Sequence, residues 1–172
     1  MKKIIIFFFL SIPIMIFSQE NRGYIVNIGD SAPNFTTKTS NGEIFDLEKE
    51  LGKVIMLQFT ASWCSVCIKE MPFIENEIWN LYKDRDDFCL IAIDRGENIE
   101  TIKKLIKKTE ITYPICLDEE SEIFELYAEK KAGITRNIII DKDGKIAFLT
   151  RLFEMNEFNE MKNKIDQLLN KK

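Results

Sequence analysis

The stretch from Thr60 to Pro72 reads TASWCSVCIKEMP, so Cys64 and Cys67 stand two residues apart. A thiol becomes a competent nucleophile only as a thiolate, and a free cysteine ionises near pH ~8.5. The amino end of a helix presents unpaired N–H groups and about half a positive charge, which favours an anion placed there. A C-x-x-C pair at such a helix start puts its first sulfur at the cap, open to a partner. The second lies one turn along and deeper. Cys64 would then attack a partner's disulfide to give a mixed disulfide, and Cys67 would attack Cys64 to release the reduced partner. The same spacing could serve an inert staple or half of a thiolate zinc site. A staple closing so short a loop restrains the unfolded chain weakly. The remaining cysteines, Cys89 and Cys116, form no second C-x-x-C, which weakens the case for four-thiolate zinc.

The elements around the pair set its position. Val54–Phe59 is a nearly unbroken apolar run, the pattern of a strand buried on both faces. Downstream, Ile68, Met71, Ile74, Ile78 and Leu81 recur at helical spacing, with Pro72 inside predicting a kink near Ile68. The pair therefore falls where a strand ends and a helix begins, the edge at which open α/β sheets tend to carry their sites. Upstream, 21–30 reads as a lead-in. Residues 33–47 alternate about an Asn41-Gly42 turn and predict a β-hairpin. Downstream, Phe88–Ile93 predicts a second buried strand, and Ile99, Ile102, Leu105 and Ile106 an amphipathic helix. Tyr113–Leu117 reads as extended, and Ser121–Ala128 as a helix capped by Ser121. Asn137–Ile140 and Lys145–Leu149 flank an Asp141–Gly144 turn, and a helix over Met155–Leu169 closes the chain. The order implies a mixed α/β sheet flanked by helices.

Bulk properties narrow the field. The chain's 172 residues, 45% of them hydrophobic, suit one domain with one core. A net charge of −4 with no long basic run gives nucleic-acid binding little electrostatic support. The absence of histidine removes imidazole catalysis and every imidazole zinc site. Met1-Lys2-Lys3, the apolar stretch 4–17 and the small Ser18 have the layout of a secretory signal peptide over residues 1–18, leaving 19–172 as the folded domain. The run falls short of the about 20 apolar residues a spanning helix needs. Bulky Ile16 near the cut keeps an uncleaved anchor open, and with it a membrane association. Export, to a periplasm or beyond, would let disulfides form and persist.

The stretches GDSAPNF, GKVIMLQFTASWCSVCIKEMP and IIIDKDGKI resemble the thioredoxin-like TlpA/ResA group of exported thiol–disulfide oxidoreductases, relatives of the Redoxin superfamily. The resemblance runs from about Gly29 to the C-terminus. It implies a thioredoxin-like fold with an N-terminal β-hairpin extension and an element inserted after the first βαβ unit. It also implies reduction of protein disulfides, often of apocytochrome c, with a membrane thiol reductase as electron donor and no bound cofactor. Glu70 matches a glutamate thought to move protons between the cysteines. Independently, a carboxylate three residues past Cys67 could accept the resolving thiol's proton; the plainer alternative is a solvated helix glutamate. Trp63 matches the group's tryptophan, an apolar platform beside the sulfur or a simple core residue.

Two departures stand out. The dipeptide between the cysteines, which tunes the redox potential, is Ser65-Val66, without the usual proline. The group's cis-proline facing the cysteines falls at Thr135 in GITRNIIID. A cis bond before a non-proline costs roughly 2.5–4 kcal/mol, so Ile134–Thr135 is expected trans, with a reshaped substrate groove at Ile134 and Thr135. Peroxiredoxins also lack this proline. Their motif has a threonine three residues before the cysteine, whereas Thr60 is four before Cys64, so a thiol peroxidase is the second reading. A binding module that keeps its cysteines but turns over weakly is the third. Cys89, within FCLIAID, reads as a small buried hydrophobe. Cys116, within YPICLD, reads as a core residue or a third redox thiol.

Overall fold

The computed structural model describes residues 22–171; the leader read at 1–18 lies outside them. Strands β1 (Thr36–Lys38) and β2 (Ile44–Asp46) form the expected antiparallel hairpin, with Thr37 opposite Phe45. Gly42, in the turn, has φ +91, a conformation that side-chain-bearing residues seldom adopt. Strand β3 (Val54–Thr60) has every residue buried. Helix α1 (Ser65–Ile74) follows, then a π-helical stretch over Glu75–Trp79 and a last turn, α2 (Asn80–Tyr82). Strand β4 (Phe88–Arg95), helix α3 (Ile99–Thr109), strand β5 (Ile115–Asp118) and helix α4 (Glu122–Tyr127) come next. Strands β6 (Arg136–Ile140) and β7 (Ile146–Leu149) and helix α5 (Met155–Asn170) complete the chain.

The five-stranded sheet runs β5-β4-β3-β6-β7. β3, β4 and β5 are parallel, and β6 and β7 are antiparallel to their neighbours. Alternation along β3 divides the core between the two faces. Ile55, Leu57 and Phe59 join Phe35, Phe45, Tyr127 and both cysteines of the motif on one face. Val54 and Met56 join Met71, Ile74, Ile78 and Ile165 on the other. The hairpin covers the β5 edge: Thr39 bridges Cys116 and the Ser40 amide donates to Ile115 O at 2.7 Å. An edge so covered no longer offers free amides to another chain.

Two local expectations change. Helix α1 runs through Pro72, and the irregularity falls later, in the π-helical stretch, rather than near Ile68. Ser121 occupies the cap position of α4 but makes no side-chain cap bond; the Asp118 carboxylate accepts the Ile123 and Phe124 amides at 3.0 and 2.8 Å instead. The described part of the lead-in is hydrogen-bonded to the domain. Ile25 N donates to Tyr127 O, and the buried Tyr24 hydroxyl donates to Thr150 O at 2.6 Å.

Candidate active site

β3 delivers the chain to the sheet's carboxyl edge, and the loop Ala61–Cys64 turns it into α1. Two bonds pin this loop: the Ser62 amide and hydroxyl both donate to the Glu97 carboxylate, at 2.5 and 2.6 Å. Cys64 is the N-cap of α1, and its Sγ accepts the Cys67 amide at 3.1 Å. A sulfur so placed takes the position of a capping oxygen and meets the positive end of the helix. Cys64 and Cys67 are joined as a disulfide with Cα atoms 5.3 Å apart. The pair is less open than expected, since Cys64 is 7% exposed and Cys67 fully buried. The order is as expected, with the first sulfur nearer solvent.

Trp63, immediately before the first sulfur, is 65% exposed, which removes core packing as its explanation. Opposite the pair, Ile134 and Thr135 are buried just before β6. The Ile134 side chain belongs to the same apolar cluster as both cysteines. No peptide bond among the described residues is cis, so Ile134–Thr135 is trans as expected. The Thr135 hydroxyl lies 3.2 Å from Cys64 Sγ and 3.4 Å from Cys67 Sγ.

Glu70 is buried, not a solvated helix residue. Its Oε1 accepts from Asn137 Nδ2 at 2.7 Å. Burial pushes its carboxyl up to about 7, while the Asn137 and Gln58 amides pull it partly back. Both amides were missed in the sequence. Gln58 and Asn137 sit directly opposite each other on β3 and β6, so they point to one face, the one α1 covers. Gln58 Oε1 accepts from the Tyr113 hydroxyl at 2.8 Å, and Asn137 Nδ2 also donates to Thr150 Oγ1 at 3.0 Å. The available signal is a lone amide residue within the apolar run VIMLQF and another heading the run NIII. A buried amide needs a polar partner to offset its desolvation.

Asp94, buried at the end of β4 opposite Thr60, is pushed up to about 8 by burial and by Glu97. Cys89, on β4, is half-buried rather than buried as expected, and Cys116 lies on β5. Burial pushes each thiol up to about 12, so neither is poised as a nucleophile, and Cys116 is fully buried as a core residue. Among the described residues no cluster of three or more acidic or cysteine side chains could hold a metal ion. No described helix is long and apolar enough to cross a membrane.

With this geometry in place, the likenesses to known proteins fall into line. A family model described as Redoxin matches residues 27–169. A Bacillus cereus protein named thiol-disulfide oxidoreductase ResA is 33% identical over 130 residues, 76% of this chain and 71% of that one. The solution structure of a Bacteroides thetaiotaomicron protein, described as a protein disulfide isomerase, superposes with a TM-score of 0.85 at 51% identity. It covers 87% of this chain and 94% of its own. The crystal structure of a Chlorobium tepidum protein, described as thiol:disulfide interchange protein DsbE, superposes with a TM-score of 0.75 at 23% identity, over 84% of this chain and 99% of that one. The architecture is therefore thioredoxin-like: a mixed central sheet flanked by helices, plus a small antiparallel hairpin.

Proposed function

The chain belongs to the Redoxin family and is a thiol–disulfide oxidoreductase, and from that premise we propose that it reduces protein disulfides outside the cytosol. The observation that carries this reading is the Cys64 sulfur at the cap of α1, accepting the Cys67 amide, with Cys67 buried behind it. The cap amide and the helix dipole favour the Cys64 thiolate. That thiolate attacks one sulfur of the substrate disulfide, and the other sulfur leaves. Cys67 then gives up its proton and attacks Cys64 Sγ, which frees the substrate's second thiol and closes the Cys64–Cys67 bond.

Glu70 supports this cycle as the proton acceptor for Cys67. It lies one helical turn away, and a carboxyl pushed up to about 7 takes and returns a proton at neutral pH. The exposed Trp63 and the Ile134–Thr135 wall would hold the substrate's extended segment across the pair. Exchange between sulfurs needs no bound cofactor. The reduced state would be restored by a membrane thiol reductase. The leader at 1–18 supports export to a periplasm or beyond, with residues 4–17 as an anchor if it stays uncleaved. Apocytochrome c is the substrate class the TlpA/ResA resemblance favours.

An insulin-reduction assay tests the reading. Wild type should precipitate insulin in the presence of a thiol donor, and Cys64→Ser should fall to the uncatalysed rate; equal rates would sink it. The potential of the couple decides direction: a value near about −270 mV marks a reductant and one near about −120 mV an oxidant.

A further inference from the structure

Thr135 brings a hydroxyl to a place where the surrounding wall is apolar. It is buried at 3% exposure, beside Ile134, and 71 residues from Cys64 in sequence. Its backbone is held on both sides: Thr135 O accepts the Leu152 amide at 3.2 Å and an Arg151 guanidinium N–H at 3.5 Å. The side chain's hydrogen-bond partners among the described residues are the two sulfurs. In the disulfide neither sulfur carries a hydrogen, so the hydroxyl is the donor in both contacts. It has one hydrogen and two acceptors at nearly equal distance, and a rotation about one bond moves it between them.

We propose that Thr135 is a catalytic residue whose hydroxyl donates its hydrogen bond first to the Cys64 thiolate and then to the Cys67 thiolate. The inference rests on the thiol–disulfide reading above and adds a group to it. In the reduced protein the hydroxyl points at Cys64 Sγ, a second donor to the sulfur beside the Cys67 amide. When Cys64 attacks, one substrate S–S bond breaks and the Cys64–substrate bond forms. The negative charge leaves on the departing sulfur, which takes a proton from solvent. Cys64 Sγ is then neutral and a poorer acceptor. Cys67 loses its proton to Glu70 or water, and the hydroxyl turns to the new thiolate. Attack of Cys67 on Cys64 breaks the mixed disulfide, closes the Cys64–Cys67 bond and releases the second substrate thiolate to be protonated. Two electrons pass from the two protein thiols to the substrate disulfide, and Thr135 ends unchanged.

A proline at this position has no donor to offer, so the threonine contributes an interaction that a proline there would lack. Hydrogen bonds to ionised acceptors are roughly twice as strong as neutral ones. Losing one should raise the Cys64 ionisation midpoint by about one pH unit, a tenfold fall in thiolate below it.

The test is the pH profile of iodoacetamide alkylation at Cys64 in the reduced full chain, followed by mass spectrometry of the Cys64 peptide. Thr135→Val keeps the shape and removes the hydroxyl, and should move the midpoint up by about one unit. Thr135→Ser keeps the hydroxyl and should stay near wild type. If the valine variant does not fold, the Ser/Ala pair at this position makes the same comparison. Coincident profiles for wild type and Thr135→Val, or for the Ser and Ala variants, overturn the proposal. So does an equal shift in Thr135→Val and Thr135→Ser, which would mark a packing effect. Insulin reduction by wild type, run in parallel, keeps the two readings apart. An active wild type with an unmoved valine profile rejects Thr135 alone, whereas an inactive wild type rejects the reductase reading itself.

Discussion

The two walls that meet at the disulfide are built differently. One is local: β3, the pinned loop and the first turn of α1 place both cysteines within eight residues of Thr60. The other is remote: β6 runs antiparallel to β3, with Arg136 opposite Phe59, and this register alone brings Thr135 to the sulfurs. The local wall supplies what any strand-to-helix turn can supply, amide dipoles and a cap. The remote wall supplies a specific side chain, the Thr135 hydroxyl, from outside the motif. On the proposals above, local geometry activates the nucleophile, and the residue just before β6 tunes it.

The sharpest way to break the local wall is to remove the resolving sulfur. Cys67→Ser leaves the Cys64 cap bond, since the donor is a backbone amide. The variant should attack substrate once and stop, accumulating a mixed disulfide while turnover falls to background. Gel analysis without reductant, using a disulfide-bonded protein substrate, checks it. Trapping through Cys89 or Cys116 instead would mean the helix start does not select the nucleophile.

Glu70 stands between the walls, on α1 but bonded to Asn137 of β6, and its loss comes next in size. Glu70→Gln should slow resolution of the mixed disulfide by about 100-fold, at the low end for a removed acid–base group, with the first attack little changed. Stopped-flow tryptophan fluorescence would separate the two steps. Stability gives a second signature. Burial pushes the folded carboxyl up to about 7 from an ordinary value of 4.5, so the unfolded chain ionises first. The stabilisation is full below pH ~4.5 and is lost as pH rises through about 7. The wild type should lose about 3 kcal/mol across that window. Glu70→Gln should lack this slope. Urea unfolding at pH 5 and pH 8 measures the difference, and parallel pH dependences in the two proteins would place Glu70 in contact with water.

The local wall could be read from the chain almost completely. An apolar run, a C-x-x-C and a helical repeat each have a period or spacing, and each reports on neighbours a few residues away. Cys64 and Cys67 are legible that way, and Glu70 is singled out by its match to the TlpA/ResA glutamate and by its place three residues past Cys67. Trp63 was singled out too, though only coordinates decide between a platform and a core residue. Gln58 and Asn137 escaped because their role depends on strand register, which a single polar residue in an apolar run does not reveal. Thr135 is marked in the sequence as a groove residue standing where the group has a proline; its contact with both sulfurs needs the third dimension. The same limit explains Ser121, where a cap residue of the right type was displaced by Asp118 acting from the preceding strand. It explains the lead-in as well, since two alternating apolar residues, Tyr24 and Val26, are too few to declare a docking segment.

That lead-in offers the smallest and most discriminating test of the remote wall. The Tyr24 hydroxyl donates to Thr150 O at 2.6 Å and lies 3.3 Å from Asn137 O, so it touches the backbone of the strand pair that holds Glu70. The Arg136 guanidinium stacks over the Tyr24 ring, 4.3 Å from its centre. Tyr24→Phe keeps the ring and the stacking and removes one buried hydrogen bond. It should cost about 1 kcal/mol, a fall in Tm of roughly 2–4 °C for a domain of this size. Insulin reduction should stay within twofold of wild type, because β6 is also held by its five register pairs with β3. A tenfold loss of activity with so small a loss of stability would show that the strap fixes Asn137, and through it Glu70, to a tolerance the sheet alone does not provide. The boundary of the remote wall would then extend from Thr135 to the first described residues of the chain.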